Sequence, residues 1–479
     1  MAALWREFSE ATTVHGLRFV NFGQSLKRRL FWGALVLVGT ALFASQFIET
    51  VGNYFKFKVN TVVYLSNDGN TKFPAITICN QNALRKSKLE ANKHDAIVQS
   101  LLYMTRKFID NSTSNKSTPD GHITGQQLRD LYFKYGHSME HIDEGGMLEF
   151  CRTPDGSLCS AKDFVRTLTF AGLCYTLNSM RTAQMKTAYS SLSGNLASIR
   201  LILSTQVDEY SEAIGKSSST GIRLLVHDQL DPPLADTHGM TIGPGVAASI
   251  GIRKQKIKSK KYPFESECDD KKLGPGVPYS RLGCLRRCQE KFVVKKCGCN
   301  NIVDTILNQT GIKRCDMDQT FMCALPAATE TFNNQKIKCS CPFACESTEY
   351  IPTLSYSPYP SDIEGRKLAI KHLTKMKKNT TEEAIQEFIK EERRNKIIID
   401  IFYHQLDYLT MMHVPATTGG GLIAEIGGLL GISLGASFLT IIELLDFLFF
   451  YLFQKISKEK KSQTSVSSKE TTSSPMAAI

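Results

Sequence analysis

The residues best placed to do chemistry in this chain of 479 residues are carboxylates embedded in an apolar run. Between Glu425 and Glu443 lie seventeen residues without a charge, and Asp446 follows inside the same run, which continues to Tyr451 (EIGGLLGISLGASFLTIIELLDFLFFY). On an unbroken helix rising about 1.5 Å per residue, the two glutamates stand about 27 Å apart, close to a hydrocarbon thickness of about 30 Å. Eighteen residues make about five turns, so both point the same way, and Leu429, Ser433, Ala436 and Thr440 fall within the same arc of roughly 80°. A small, polar face with an acid at each end favours a water-filled path shared between helices. The plainer reading is an anchor whose small residues let helices pack closely. An enzymatic reading has weaker support. No His-Glu-x-x-His or Walker-type pattern appears, and an ectoenzyme gives no reason for Glu443 and Asp446 in an apolar segment.

The elements that hold this run must be membrane elements. Leu30 to Ile48 (LFWGALVLVGTALFASQFI) is a second uncharged stretch, of nineteen residues. About thirty residues precede it and no prompt cleavage pattern follows, which argues against a signal peptide. A mean hydropathy of −0.17 excludes a polytopic transporter. Lys27, Arg28 and Arg29 abut the first stretch, and Lys455, Lys458, Lys460 and Lys461 follow the second. The positive-inside rule therefore puts both termini in the cytosol and residues 51–424 outside. All fourteen cysteines lie between Cys79 and Cys345, an even count confined to that exterior, which indicates disulfides rather than zinc sites. Four sequons, at Asn111, Asn115, Asn308 and Asn379, also fall there. The expected division is a cytosolic tail at 1–29, a membrane helix at 30–50, an exterior domain at 51–424, a second membrane helix at 425–453 and a disordered tail at 454–479.

Within the exterior, FPAITICNQN, IRLILSTQV and GIRLLVHDQ read as strands, and TEEAIQEFIKEERR as a helix. Cys151 and Cys159 flank a Pro-Asp-Gly turn and are expected to close a small loop. GIRKQKIKSKKYP (251–263), with six Lys or Arg, reads as a solvated edge strand kept soluble by its lysines. Ten cysteines lie in 268–345. Cys284 and Cys288 share a helix face, and Cys339 and Cys341 would share a strand face. Their spacings, about 6.0 and about 6.6 Å, allow two rungs between helix and strand without requiring them. NKIIIDIFYHQLDYLTM returns as a strand toward the membrane, and GGG at 419–421 is expected to loosen the junction.

Four motifs give these features a likeness. They are His15-Gly16 before the first helix, FPAITICN after it, the cysteine ladder, and Gly435-Ala436-Ser437 in the second helix. Together they resemble the degenerin/epithelial sodium channel/acid-sensing ion channel family over essentially the whole chain except the tails. The resemblance implies a trimer of two-helix subunits with a large α+β, disulfide-rich exterior shaped as a hand, its thumb about 268–345. It implies that Gly435, Ala436 and Ser437 form a selectivity filter interrupting the second helix, and that His15-Gly16 belongs to a re-entrant loop below it. Glu425 would form an acidic ring at the outer mouth, with Leu429, Ser433, Thr440 and Glu443 lining the path. Ala424 would sit where bulky substitution holds such channels open, and Phe57 would pair with Phe264 between wrist and thumb. The implied disulfides are Cys79–Cys174, Cys151–Cys159, Cys268–Cys345, Cys284–Cys341, Cys288–Cys339, Cys297–Cys323 and Cys299–Cys315.

The implied activity is an amiloride-sensitive, sodium-selective channel of the plasma membrane, a homo- or heterotrimer with family subunits in the lipid bilayer. No cofactor, structural metal or nucleic acid enters; Na+ permeates, and Ca2+ would block at the outer mouth. The gating ligand is less well marked. The run Phe55-Lys56-Phe57-Lys58 carries no histidine where acid-sensing relatives do, CALPAATETF lacks their aspartates, and IGKSSSTGIR lacks an acidic cluster. These departures favour an extracellular ligand such as a neuropeptide. Proton gating or constitutive activity in the same family are the alternatives, ahead of an ATP-gated trimer, an ectoenzyme or a scaffold subunit.

Overall fold

A computed structural model describes residues 2–20, 25–110, 123–180, 188–211, 219–274, 277–304, 311–333 and 339–467. Asn111, Asn115 and Asn308 lie outside the described residues, whereas Asn379 is exposed. The chain forms two compact units, Met1–Asn60 with Pro263–Glu265 and Val414–Ile479, and Thr61–Tyr262 with Ser266–His413.

The first unit is helical. Its N-terminal apolar helix, Leu26–Tyr54, has a mean hydropathy of 1.7 over its membrane window. It is longer than the expected 30–50: at about 1.5 Å per residue it reaches about 44 Å, beyond a hydrocarbon core of about 30 Å. The C-terminal apolar run is two helices, Gly419–Leu434 and Phe438–Ser467, bent by 76° at the break between them. The shared arc expected of an unbroken helix therefore stops at Leu434. The three glycines expected to loosen the junction instead form a helix's first turn. Thr418 supplies the reason, because its hydroxyl accepts the Gly421 N–H at 3.0 Å and caps the otherwise unsatisfied N-terminus. The stretch expected to be a disordered tail from 454 is helical as far as Ser467. The helix continues to Ser467 because Lys, Glu and Gln after Phe453 are good helix formers extending a turn already nucleated. Residues 468–479 lie outside the described residues.

The second unit is built on two sheets. Seven strands make the larger one. Val59–Ser66, Tyr408–Pro415, Val246–Lys258, Lys396–Tyr403, Ile199–Ser204 and Leu148–Arg152 lie in that order, and Glu346–Pro358 pairs with Val246–Lys258. The five-stranded sheet orders Met240–Ile242, Ile222–His227, Ala75–Asn80, Gly172–Leu177 and Phe164–Thr169. Buried residues of both sheets, among them Ile76, Ile78, Leu201, Leu224, Ile250 and Ile399, make one core. Two helices, Asp362–Lys375 and Glu382–Asn395, pack on each other through Ala369, Leu373, Ile385 and Ile389. Thr381 caps the second.

Two expectations change here. As far as Lys258 the lysine-rich segment belongs to a central strand, Val246–Lys258, hydrogen-bonded on both sides, not to an edge. Its inward face continues Ile250 and Ile252 with Lys254, which is buried because Asp68 lies 3.1 Å from its ammonium and the Tyr408 ring 4.2 Å away. The returning strand after residue 395 is two strands, separated at His404–Asp407, because its halves pair with different stretches of Val246–Lys258.

Seven disulfides join Cys79 to Cys174, Cys151 to Cys159, Cys268 to Cys345, Cys284 to Cys341, Cys288 to Cys339, Cys297 to Cys323 and Cys299 to Cys315, leaving no free thiol. Cys284, Cys288 and Cys297 project from one helix, Arg281–Cys297, capped by Ser280 and ended by Gly298 at φ +72°.

Candidate functional site: the broken helix and the loop beneath it

Helix Gly419–Leu434 ends because Gly435 adopts φ +62°, a conformation that L side chains rarely take. Its N–H folds back to Gly431 O at 2.9 Å, and the Ala436 N–H reaches Leu430 O at 3.4 Å. The chain then runs through Ala436 and Ser437 without helical pairing until Phe438. Ser437 starts the second helix, donating its N–H to the Thr440 hydroxyl at 2.9 Å. A broken apolar helix leaves polar backbone inside a hydrophobic segment, which is tolerated where protein or water meets it.

Here protein meets part of it. The His15 N–H donates to Leu434 O at 3.0 Å, and its Nδ1 lies 3.1 Å from Gly435 O. A carbonyl only accepts, so Nδ1 carries the proton in this contact. The fit leaves no room for a side chain at Gly435: a Cβ there would stand 1.8 Å from His15 Nδ1. Gly16 adopts φ +89°, and a Cβ would meet Trp32 of the N-terminal apolar helix at 2.9 Å. Gly39 of that helix lies against the break as well, since a Cβ would come within 2.6 Å of Ser433 O. His15, Gly16, Gly39, Ser433 and Gly435 thus form one close-packed junction.

Below the break, Thr440 is buried and its hydroxyl bonds that of Thr13. The Glu443 carboxylate accepts from the Thr12 hydroxyl and the Thr13 N–H, each at 3.1 Å. Helix Ala2–Ala11 lies alongside, with the Phe8 and Phe447 rings 4.5 Å apart. Thr12 and Thr13 are contributors that sequence reasoning missed. The signal was two hydroxyls next to His15-Gly16, but nothing local named a partner some 430 residues away.

Ala424 and Glu425 are exposed on the first half-helix, and Leu429 and Ser433 are half-buried. Phe57 stands just past the N-terminal apolar helix at φ +47°, with its ring 5.7 Å from that of Phe264 in an edge-on pair. The Glu265 N–H donates to Phe57 O at 3.2 Å, and the Ala416 N–H to Lys58 O at 2.9 Å.

The exterior unit holds two carboxylates whose pKa is raised by burial. Burial pushes Glu392 up, opposed by the Lys396 ammonium 2.8 Å away, which also meets Glu149 at 3.0 Å. Burial likewise raises Asp400, opposed by Arg200 at 3.4 Å. Among the described residues no cluster of three or more His, Cys, Asp or Glu could hold a metal ion.

Comparison with known proteins bears on all of this. A family model described as "ASC: Amiloride-sensitive sodium channel" matches residues 8–447. A bile acid-sensitive ion channel of Mus musculus is 28% identical over 460 residues, 93% of this chain and 87% of that one. An acid-sensing ion channel 2 of Danio rerio is 27% identical over 480 residues, covering 92% and 84%. Among solved structures, a proton-activated chloride channel matches 87% of this chain and 96% of its own at 8% identity. Its TM-score of 0.32 is too low to carry an argument.

Proposed function

The chain belongs to the amiloride-sensitive sodium channel family, a family of channels and not of enzymes, and from that premise we propose that three copies form a sodium-selective, amiloride-blocked pore in the plasma membrane. Both termini face the cytosol, and an extracellular ligand opens the gate. Gly435, Ala436 and Ser437 are the filter, where three closely approaching backbones replace part of a cation's hydration shell. Glu425 rings the outer mouth, Leu429, Ser433, Thr440 and Glu443 line the path, and His15-Gly16 closes it from below. Ala424, Phe57 and Phe264 act in gating. The observation that carries this reading is the helix break at Gly435, with His15 seated on its last two carbonyls. One subunit's half-helices cannot enclose a path, which supports an oligomer. So does the long edge strand Glu346–Pro358, which leaves Ile351, Leu354 and Tyr356 exposed.

The ligand we assign is a peptide, on the departures from the acid-sensing pattern between residues 55 and 330. A second reading, opening by protons, is favoured by the raised Glu392 and Asp400 and by the acid-sensing relatives. Whole-cell recording of the full chain during application of peptides, bile acids and acid separates them. Amiloride-blocked sodium current evoked by a peptide at neutral pH supports the first. Full activation by acid alone, lost in a Glu392→Gln/Asp400→Asn double variant, overturns it in favour of the second.

A further inference from the structure

A cavity of about 470 Å3 opens in the exterior unit, where the start of the disulfide-laddered region meets the ends of three sheet strands. Its volume falls within the range of about 300–1,000 Å3 typical of small-ligand sites. We propose that it binds a short peptide with free termini, which deepens the ligand-gated reading above and rests on it.

The charges in its wall decide the ligand class. Lys258 is 3.5 Å from Glu346, and Asp270 is 2.7 Å from Lys261, so these four offset one another. Lys260 and Asp269 also line the cavity, and neither forms an ion pair with another described residue. The Asp269 carboxylate accepts the backbone N–H of Lys271 at 3.0 Å, while its carbonyl takes the Cys345 N–H at 3.2 Å. One unpaired cation and one unpaired anion facing a common space suit a ligand that carries both signs. A third group points the same way. His413 lines the cavity, and its buried Nδ1 has no hydrogen-bond partner among the described residues, a costly state that a peptide N–H or C=O would relieve. Tyr279 spends its hydroxyl on Pro342 O at 2.8 Å and so presents a ring, which with Met412 and Ala344 gives an apolar wall for side chains. A free amino acid would use the charges and leave that wall empty. The Cys268–Cys345 disulfide fixes the floor, and His413 lies two residues before Pro415 on the strand whose chain continues into helix Gly419–Leu434.

Because every native cysteine is in a disulfide, Ser259→Cys places a lone thiol in this wall. Its labelling rate by a charged methanethiosulfonate is measured on the full-length channel, with and without a pool of unblocked tripeptides. The pool should slow labelling saturably. Lys260→Ala or Asp269→Ala should each raise the half-protecting concentration about tenfold, the effect of losing one charge-assisted contact, and the Lys260→Asp/Asp269→Lys exchange should recover part of it. An unchanged labelling rate overturns the proposal, as does equal protection by an N-acetylated, C-amidated pool. Sodium current that acid or bile acid evokes without any tripeptide protection rejects this site and leaves the channel reading intact. Protection in a chain that never conducts, alone or together with family subunits, supports the site and rejects the channel.

Discussion

At the scale of single residues, Gly435 is the position with least freedom. It needs a positive φ and the absence of a side chain, because the His15 imidazole fills the space a Cβ would take. Gly435→Ala should cut sodium current by about tenfold or more through backbone strain and the clash together. His15→Ala in the same chain should recover part of it, since it relieves the clash but not the φ. Recording both variants at matched surface expression checks this, and equal currents from Gly435→Ala and the parent would contradict it. Glu425 carries an exposed charge with no ion-pair partner among the described residues, so Glu425→Gln should weaken extracellular calcium block. An unchanged calcium dose–response would remove that acid from the outer mouth. His137 makes a prediction about pH. Burial depresses its pKa to about 4, from an ordinary 6.5, so the fold favours the neutral ring. The stability it contributes is complete above pH 6.5 and is lost as pH falls through about 4, a loss of roughly 3 kcal/mol across that window. Thermal unfolding at pH 7 and pH 4.5 should show a smaller acid shift in His137→Gln than in the parent. Of these residues, Gly435 was legible through the Gly-Ala-Ser motif and Glu425 through its place at the end of an uncharged run. The burial of His137 was not, because a lone histidine in sequence says nothing of the Asn82 and Gln206 side chains beside it.

At the scale of elements, local chemistry carried the strands and helices whose patterns are simple. FPAITICN became Ala75–Asn80, and TEEAIQEFIKEERR became Glu382–Asn395 behind its Thr381 cap. Elements fixed by partners far away in sequence were not legible. A strand alternating lysine with other residues resembles an edge until Asp68 and Tyr408 are seen to bury Lys254. Thr12 and Thr13 gave no sign of Glu443. The cysteine spacing allowed rungs between helix Arg281–Cys297 and the segment at 339–341, and the pairing itself came from the family resemblance. Those nested rungs, Cys284–Cys341 and Cys288–Cys339, close almost the same loop. Either one alone therefore supplies most of the restriction on the unfolded chain, about 4 kcal/mol for a loop near 60 residues. Removing one rung should cost little, and removing both should cost more than twice the single loss. Unfolding midpoints of the two double-cysteine variants and the quadruple variant measure this. Additive losses would mean that the rungs act through local packing instead.

At the scale of the whole molecule, the sequence divides labour between an oxidised exterior unit, rigid with disulfides, and a helical unit in which one apolar run is broken at three small residues. On the proposed reading, cations pass this break. Ser437 stands where the chain is neither helix nor closed by His15, so a bulkier or altered side chain there should change which cation is preferred, not merely how much current flows. The reversal potential under sodium outside and potassium inside tests this most directly. The parent channel should reverse well on the positive side, and Ser437→Cys should move the reversal toward zero while amiloride-sensitive current persists. A parent current that does not prefer sodium, or a Ser437→Cys channel whose reversal potential is unchanged, would contradict the assignment of Gly435-Ala436-Ser437 as the filter.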